Sequence, residues 1–261
     1  MYEAECKAAV KAAKEAQKLI LEIYNTPFDV EIKSDKSPVT KADKKADEYI
    51  RGVLGKLFPE IGFLTEESKD TGERLSKKAI WIVDPVDGTT EFVSRNGQFT
   101  TNIALAIDGE VVVGVTNVPT LDVCYYAIKG QGAYRINADG SEEKIHVSDS
   151  LDHLIALRSL SHLNQKEIDF MEAHKDRLAL PAIPKGAALK FCLIAEGTAD
   201  FFYRNGEGTK EWDVASGDIL VREAGGIVLQ GNGEPFHYNK ADVMNHYGYI
   251  VVNREENLFR D

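Results

Sequence analysis

Apolar and polar positions recur with helical spacing at the start of the chain. Residues 3–24 are rich in Ala, Lys, Glu and Leu with few breakers, which predicts a long amphipathic helix. A second helix is predicted from Thr40 to about Leu57. Pro38 punctuates its approach, and Thr40 with Asp43 has capping-box spacing, with Asp in place of the usual Glu. The period then changes. Ile80-Trp81-Ile82-Val83 reads as a buried strand that stops at Asp84-Pro85. Strands follow at Phe99–Ile107, Val111–Val118 and Val123–Ile128, with Asp108-Gly109 as a hairpin turn and Asn137–Gly140 as another turn.

The second part alternates. Strands are expected at Leu154–Leu157, Phe201–Tyr203, Ile227–Leu229 and Gly248–Val252. Helices are expected at Gln165–His174, Leu189–Glu196 and Trp212–Ala224. The reading is therefore α/β: an N-terminal α+β domain over 1–147, with two helices against an antiparallel sheet, and a smaller mixed α/β domain over 148–261. No repeat or low-complexity linker separates the halves, so they are expected to pack tightly.

Composition narrows the possibilities. The 261 residues are 43% hydrophobic, which makes disorder improbable and a sizeable core feasible. No apolar run approaches the length of a membrane span, and the N-terminus lacks the basic and apolar regions of a secretory signal. The net charge of −11 argues against nucleic acid as a partner. The excess acid lies downstream of residue 60. Cys6, Cys124 and Cys192 form no CxxC pair, so a zinc site or redox dithiol is not expected. Three buried apolar thiols in a reducing compartment are the expectation. That places the chain in the cytoplasm, free or peripherally at the inner membrane. The six histidines form neither HxH nor HExxH.

The strongest local signal is Asp84-Pro85-Val86-Asp87-Gly88-Thr89-Thr90. Two aspartates and the Val86 carbonyl could offer several hard oxygens to a divalent ion such as Mg²⁺. An Asx-Pro turn, with Asp87 bonding its own backbone, suits the same residues equally well. Glu66-Glu67 could be a solvated pair, Asp213 in Trp212-Asp213 a simple helix N-cap, and Asp43 a cap as well.

Taken together and in order, these segments resemble the lithium-sensitive, Mg²⁺-dependent phosphatase superfamily. It includes inositol monophosphatases, fructose bisphosphatases and bisphosphate nucleotidases. Within it the chain is most similar to bacterial 3′(2′),5′-bisphosphate nucleotidases of the CysQ type. The similarity is carried by Ser37-Pro38-Val39-Thr40 with Asp43, Glu91-Phe92 with Arg95-Asn96-Gly97, Asn102-Ile103-Ala104-Leu105, and Leu189-Lys190-Phe191-Cys192. The resemblance implies a layered α/β/α/β/α sandwich with the site between its halves. It implies two or three Mg²⁺ held by Glu66, Asp84, the Val86 carbonyl, Asp87 and Asp213. Glu66 and Thr89 would be catalytic through the attacking water, and Asp43 would act behind them. Asp87, Gly88, Thr89, Thr90, Lys190 and Asp213 would face a small anionic phosphate ester, with Ser161, His162 and Arg204 ranked lower.

Two departures bear on substrate. Thr90 stands where the nucleotidases usually carry Lys, as in inositol phosphatases. Leu160 stands where they tend to carry Arg in Ser159-Leu160-Ser161-His162, and Arg158 is close without being equivalent. The expected reaction is removal of the 3′-phosphate from adenosine 3′,5′-bisphosphate, in a monomer or homodimer. An inositol- or sugar-phosphate hydrolase is the alternative. A non-catalytic metal- or nucleotide-binding regulator would require a broken acidic set, and this set is complete.

Overall fold

The computed structural model describes residues 1–32 and 38–259, so Ser37 lies outside the described residues. In chain order the elements are α1 (Glu3–Tyr24), β1 (Val30–Ile32), β2 (Pro38–Thr40), α2 (Lys41–Leu57), β3 (Gly62–Thr65), β4 (Ala79–Asp87), α3 (Thr89–Val93), β5 (Thr100–Ile107), β6 (Glu110–Val118) and β7 (Val123–Ile128). They continue with β8 (Gly132–Ile136), β9 (Glu142–Ile145), β10 (Leu154–Ser159), α4 (Gln165–Ala173), β11 (Leu178–Lys185), α5 (Leu189–Ala195), β12 (Phe201–Asn205), α6 (Glu211–Glu223), β13 (Ile227–Gln230) and β14 (Gly248–Val252).

Strands β3 to β9 form one seven-stranded sheet in sequence order. Its pairs are antiparallel except β3 with β4, which is parallel. The other large sheet has the order β11-β10-β12-β14-β13. It is mixed: β10 runs parallel to β11 and β12, and β14 antiparallel to β12 and β13.

The strand period of two sorts side chains between layers. Trp81 and Val83 face one core with α1 and α2. Ile80 and Ile82 face the opposite core, which also holds Phe191 of α5, Ile219 and Leu220 of α6, and Phe202 and Val251 of the second sheet. Phe201 and Val252 face a third core with Met171 of α4. The layers therefore run helix, sheet, helix, sheet, helix, as expected. Strands covered on both faces explain the near-continuous apolar runs of β4 to β6. In the outer layer, Ala9, Ala12, Ala13 and Ala16 of α1 meet Ala42, Ala46, Ile50 and Leu54 of α2, and small side chains let these helices lie close. All three cysteines are buried and free. Burial pushes the thiols of Cys6 and Cys124 up to about 12, so they are neutral packing groups.

Two expectations need correction. The strand expected to stop at Asp84-Pro85 runs on to Asp87, through a one-residue bulge against β5. Pro85 is tolerated because the ladder is already broken there. Strand β11, absent from the expected strands, contains Pro181 and Pro184. It is an edge strand that pairs with β10 alone, where a missing N–H costs little.

Helix α6 is clamped between sheet and helix by two glycines. A β-carbon at Gly114 of β6 would lie 2.4 Å from Ile219 Cγ2 and 2.7 Å from the Ser216 carbonyl oxygen. One at Gly217 would lie 2.3 Å from the Phe191 ring of α5. Gly114→Ala should therefore overpack this contact and lower stability by about 1–3 kcal/mol. Urea unfolding should show a lower midpoint at unchanged slope. An unaltered midpoint would mean that α6 does not press on β6 there.

Candidate active site

Residues three apart in a regular strand point to opposite faces. The bulge in β4 supplies the extra residue that turns Asp84 and Asp87 to the same side. Asp84 pairs in register with Asn102, and Asp87 with Thr100. The Thr101 hydroxyl holds the bulge by donating to the Pro85 carbonyl at 2.9 Å. Gly88 then takes a left-handed φ of 86° and caps the five-residue α3, which begins with Thr89 and Thr90.

Asp213 comes from the other half of the chain. It sits in the first turn of α6, where its Oδ2 accepts from the Lys210 N–H at 2.5 Å. Carboxylate oxygens of Asp84, Asp87 and Asp213 all lie within 4.8 Å of one another. Glu66, just after β3, lines the same cleft outside that trio, and its N–H donates to the Val83 carbonyl at 3.1 Å.

The local alternatives resolve into double duties. The Asx-type bond is made by Asp84, whose Oδ1 accepts from the Val86 N–H at 3.1 Å. Asp87 Oδ2 accepts instead from Asn102 Nδ2 at 3.1 Å and the Thr100 hydroxyl at 3.4 Å. Asp43 is a cap, with its Oδ2 accepting from the Thr40 N–H at 2.8 Å and the Thr40 hydroxyl at 2.6 Å. Its other oxygen faces the site, 3.2 Å from the Thr89 hydroxyl, which also lies 3.3 Å from the Val86 carbonyl oxygen.

Electrostatics set the chemical character of the cleft. Burial, then the charge of Glu66, raises Asp84 well above the ordinary carboxylate range. Burial, then Asp87 and Glu66, does the same to Asp213. Burial moves Asp87 up to about 6, opposed by Lys190 and the Asn102 bond. Lys190 is buried at 7% exposure, and its Nζ donates to the carbonyls of Ala187 at 2.6 Å and Lys185 at 3.3 Å. Burial brings it down to about 8, with Asp87 and Glu91 opposing. A crowded set of carboxylates, with Asp84 buried and Asp87 and Asp213 half-buried, that resists ionisation calls for cationic compensation beyond one lysine. An all-oxygen donor set of Asp84, Asp87 and Asp213, with Glu66 and the Val86 carbonyl at hand, fits a hard divalent ion.

Gly88, Thr89, Thr90, Lys190, His162 and Arg204 all line the cleft. Arg204 donates to the His162 carbonyl and, at 3.1 Å, to Glu167. Ser161 bonds Glu91 instead of lining the cleft. The Arg95-Asn96-Gly97 segment is not brought to the cleft wall. Arg95 donates to the carbonyls of Tyr24 and Thr26 and lies over the Phe28 ring at 5.0 Å, pinning the end of α1. Asn102 and Thr100, which hold Asp87, and buried Glu91 were motif members with no assigned role. Their roles depend on the bulge register and on contacts across the chain.

The sequence pattern of the inositol monophosphatase family matches residues 1–257. The chain is 36% identical over 242 residues to the 3′(2′),5′-bisphosphate nucleotidase CysQ of Escherichia coli O6:H1, covering 92% of this chain and 96% of that protein. Among solved structures it is similar to CysQ from Bacteroides thetaiotaomicron, at 37% identity and a TM-score of 0.85, with 97% of this chain and 99% of that one covered. It is also similar to the extragenic suppressor protein suhB from Bartonella henselae, at 29% identity and a TM-score of 0.80, with 97% and 95% covered. Sequence and structure agree over nearly the full length, and the chain belongs to the inositol monophosphatase family.

Proposed function

We propose that this protein is a Mg²⁺-dependent phosphomonoester hydrolase that removes the 3′-phosphate of adenosine 3′,5′-bisphosphate, giving AMP and phosphate. The observation that carries this reading is the trio Asp84, Asp87 and Asp213, with oxygens within 4.8 Å, at a cleft that also presents Thr89 and Lys190. The named activity of the CysQ relatives supports the choice of substrate.

Asp84, Asp87, Asp213, Glu66 and the Val86 carbonyl would hold two or three Mg²⁺, which when bound supply charge neutralisation and make water a better nucleophile. The protein's own groups do the rest. The Thr89 hydroxyl, directing its proton toward Asp43, keeps lone pairs to accept a hydrogen bond from the attacking water. Glu66 orients that water from the cleft wall. Gly88 and Thr90, at the start of α3, present donors to the phosphate oxygens. As the water oxygen bonds to phosphorus, the ester P–O bond breaks; of the water's protons, one stays on the released phosphate and the other ends on the departing 3′-oxygen. Lys190 brings positive charge to the cleft for the anionic substrate. Thr90 and Leu160 favour a second reading, hydrolysis of inositol or sugar phosphates, because neither adds the cation that Lys or Arg would provide.

Activity should vanish in EDTA and return with Mg²⁺. Asp84→Asn should lower turnover by at least about 10³-fold, since metal catalysis supplies several kcal/mol. Near-normal turnover in that variant would remove the metal assignment.

Substrate choice is read by phosphate release from adenosine 3′,5′-bisphosphate, inositol 1-phosphate and fructose 1,6-bisphosphate. The highest kcat/KM is expected for the first. A lead for inositol 1-phosphate would overturn the nucleotidase reading and leave the hydrolase reading standing.

A further inference from the structure

Among the described residues, five carboxylates line the cleft: Glu66, Asp84, Asp87, Glu91 and Asp213. Four serve the proposed metal and water set, and the fifth is Glu91. It is only 4% exposed, in a cleft meant to receive a phosphate dianion, where an idle negative charge would be costly. Its environment shows a use. Oε1 accepts from the Ser161 hydroxyl at 2.5 Å. Oε2 lies 3.2 Å from where a β-carbon of Gly88 would stand, and Cγ lies 2.7 Å from where one of Gly186 would stand. The side chain is thus packed between the start of α3 and the turn that leads to Lys190. Beside it, Gln98 Oε1 accepts from the Gly186 N–H at 3.0 Å.

These contacts tie two parts of the cleft together. Segment 159–162 leaves the end of β10 and gives Ser159 and His162 to the cleft wall. Its other anchors stay within the second half of the chain. The Leu160 N–H donates to the Lys185 carbonyl at 3.1 Å, the His162 N–H to the Ser159 hydroxyl at 3.0 Å, and the His162 carbonyl accepts from Arg204. The Ser161–Glu91 bond joins this wall to the motif that bears Asp84, Asp87 and Thr89. Ser161 itself is exposed and Glu91 is buried, so the bond between them is partly buried.

The geometry points to Glu91 as a positioning and specificity residue: through Ser161 it fixes the Ser159–His162 wall relative to the carboxylate trio. It thereby sets the grip on the part of the substrate beyond the reacting phosphate. This inference rests on the hydrolase reading above. Its effect falls on large esters, whose leaving group reaches the wall, and not on small ones.

The test compares wild type, Ser161→Ala, Glu91→Ala, the double variant and Glu91→Gln, with adenosine 3′,5′-bisphosphate and glycerol 2-phosphate as substrates. Loss of this one partly buried bond should raise KM for the nucleotide about tenfold in each Ala variant, with kcat within about twofold. KM for glycerol 2-phosphate should change by less than about twofold, because its small leaving group makes no contact to lose. The double variant should be no worse than either single one, since both remove the same bond. Glu91→Gln keeps an acceptor for Ser161 and should return KM to within about threefold of wild type. Amide hydrogen exchange at Leu160 and His162 should quicken in the Ala variants only. Additive KM effects, equal changes for both esters, or unchanged exchange would each overturn the inference. Should the wild type hydrolyse neither ester, the hydrolase reading falls separately, and unchanged exchange rates would by themselves refute the clamp.

Discussion

Like charges crowded at a half-buried cleft are the constraint on which this structure turns. Asp84, Asp87 and Asp213 crowd their oxygens into 4.8 Å, in surroundings that raise all three carboxylates. Such an arrangement works against folding, because the ionised forms are poorly solvated and repel one another. It persists because the surrounding layers overdetermine it. A cluster held at that cost is ready for a multivalent cation, and a cation gathered there is ready for a phosphate ester.

Each carboxylate reaches the cleft by a different device. For Asp84 and Asp87 it is one extra residue in β4, without which they would lie on opposite faces of the sheet. Asp213 arrives through the seating of α6, pressed against β6 at Gly114 and against α5 at Gly217, and through its bond from Lys210. Asp43 is brought in by a helix cap whose second oxygen is left for Thr89. Sheet register, helix packing and capping thus converge on one place, and the caps show that a carboxylate can stabilise a helix end and serve the cleft together.

Much of this was legible in the sequence where the signal was local. The helix of residues 3–24 has the predicted bounds, and Thr40 with Asp43 forms the predicted capping box. The strand Val123–Ile128 also matches its apolar run. The trio was legible only in part. Asp84 and Asp87 could be paired on paper, yet their spacing suited a turn as well as a metal site, and the bulge that turns both to one side is a property of pairing with β5. Asp213 lies far along the chain, and only a resemblance joined it to the others before the fold did. What stayed hidden depends on tertiary context. Strand β11, with Pro181 and Pro184, was not among the expected strands, because edge position is invisible in a sequence. Lys190 could be placed near the substrate only by resemblance, because its burial comes from neighbouring layers. Arg95, part of a segment that carries the resemblance, is spent on the end of α1.

The central claim, that the crowded trio is electrostatically unfinished without a divalent ion, is tested most directly by thermal unfolding of wild type and Asp84→Asn at pH 7, each in EDTA and in Mg²⁺. A carboxyl whose pKa is raised by folding binds protons more tightly in the native state than in the unfolded one. Its ionisation therefore removes stability as pH rises from the unfolded pKa through the folded one. At pH 7 the metal-free wild type should accordingly melt below metal-free Asp84→Asn. Mg²⁺ should raise the midpoint of the wild type, because it binds the native state alone, and should raise that of the variant far less. A metal-free wild type as stable as the variant, or an equal Mg²⁺ shift in both, would contradict the account.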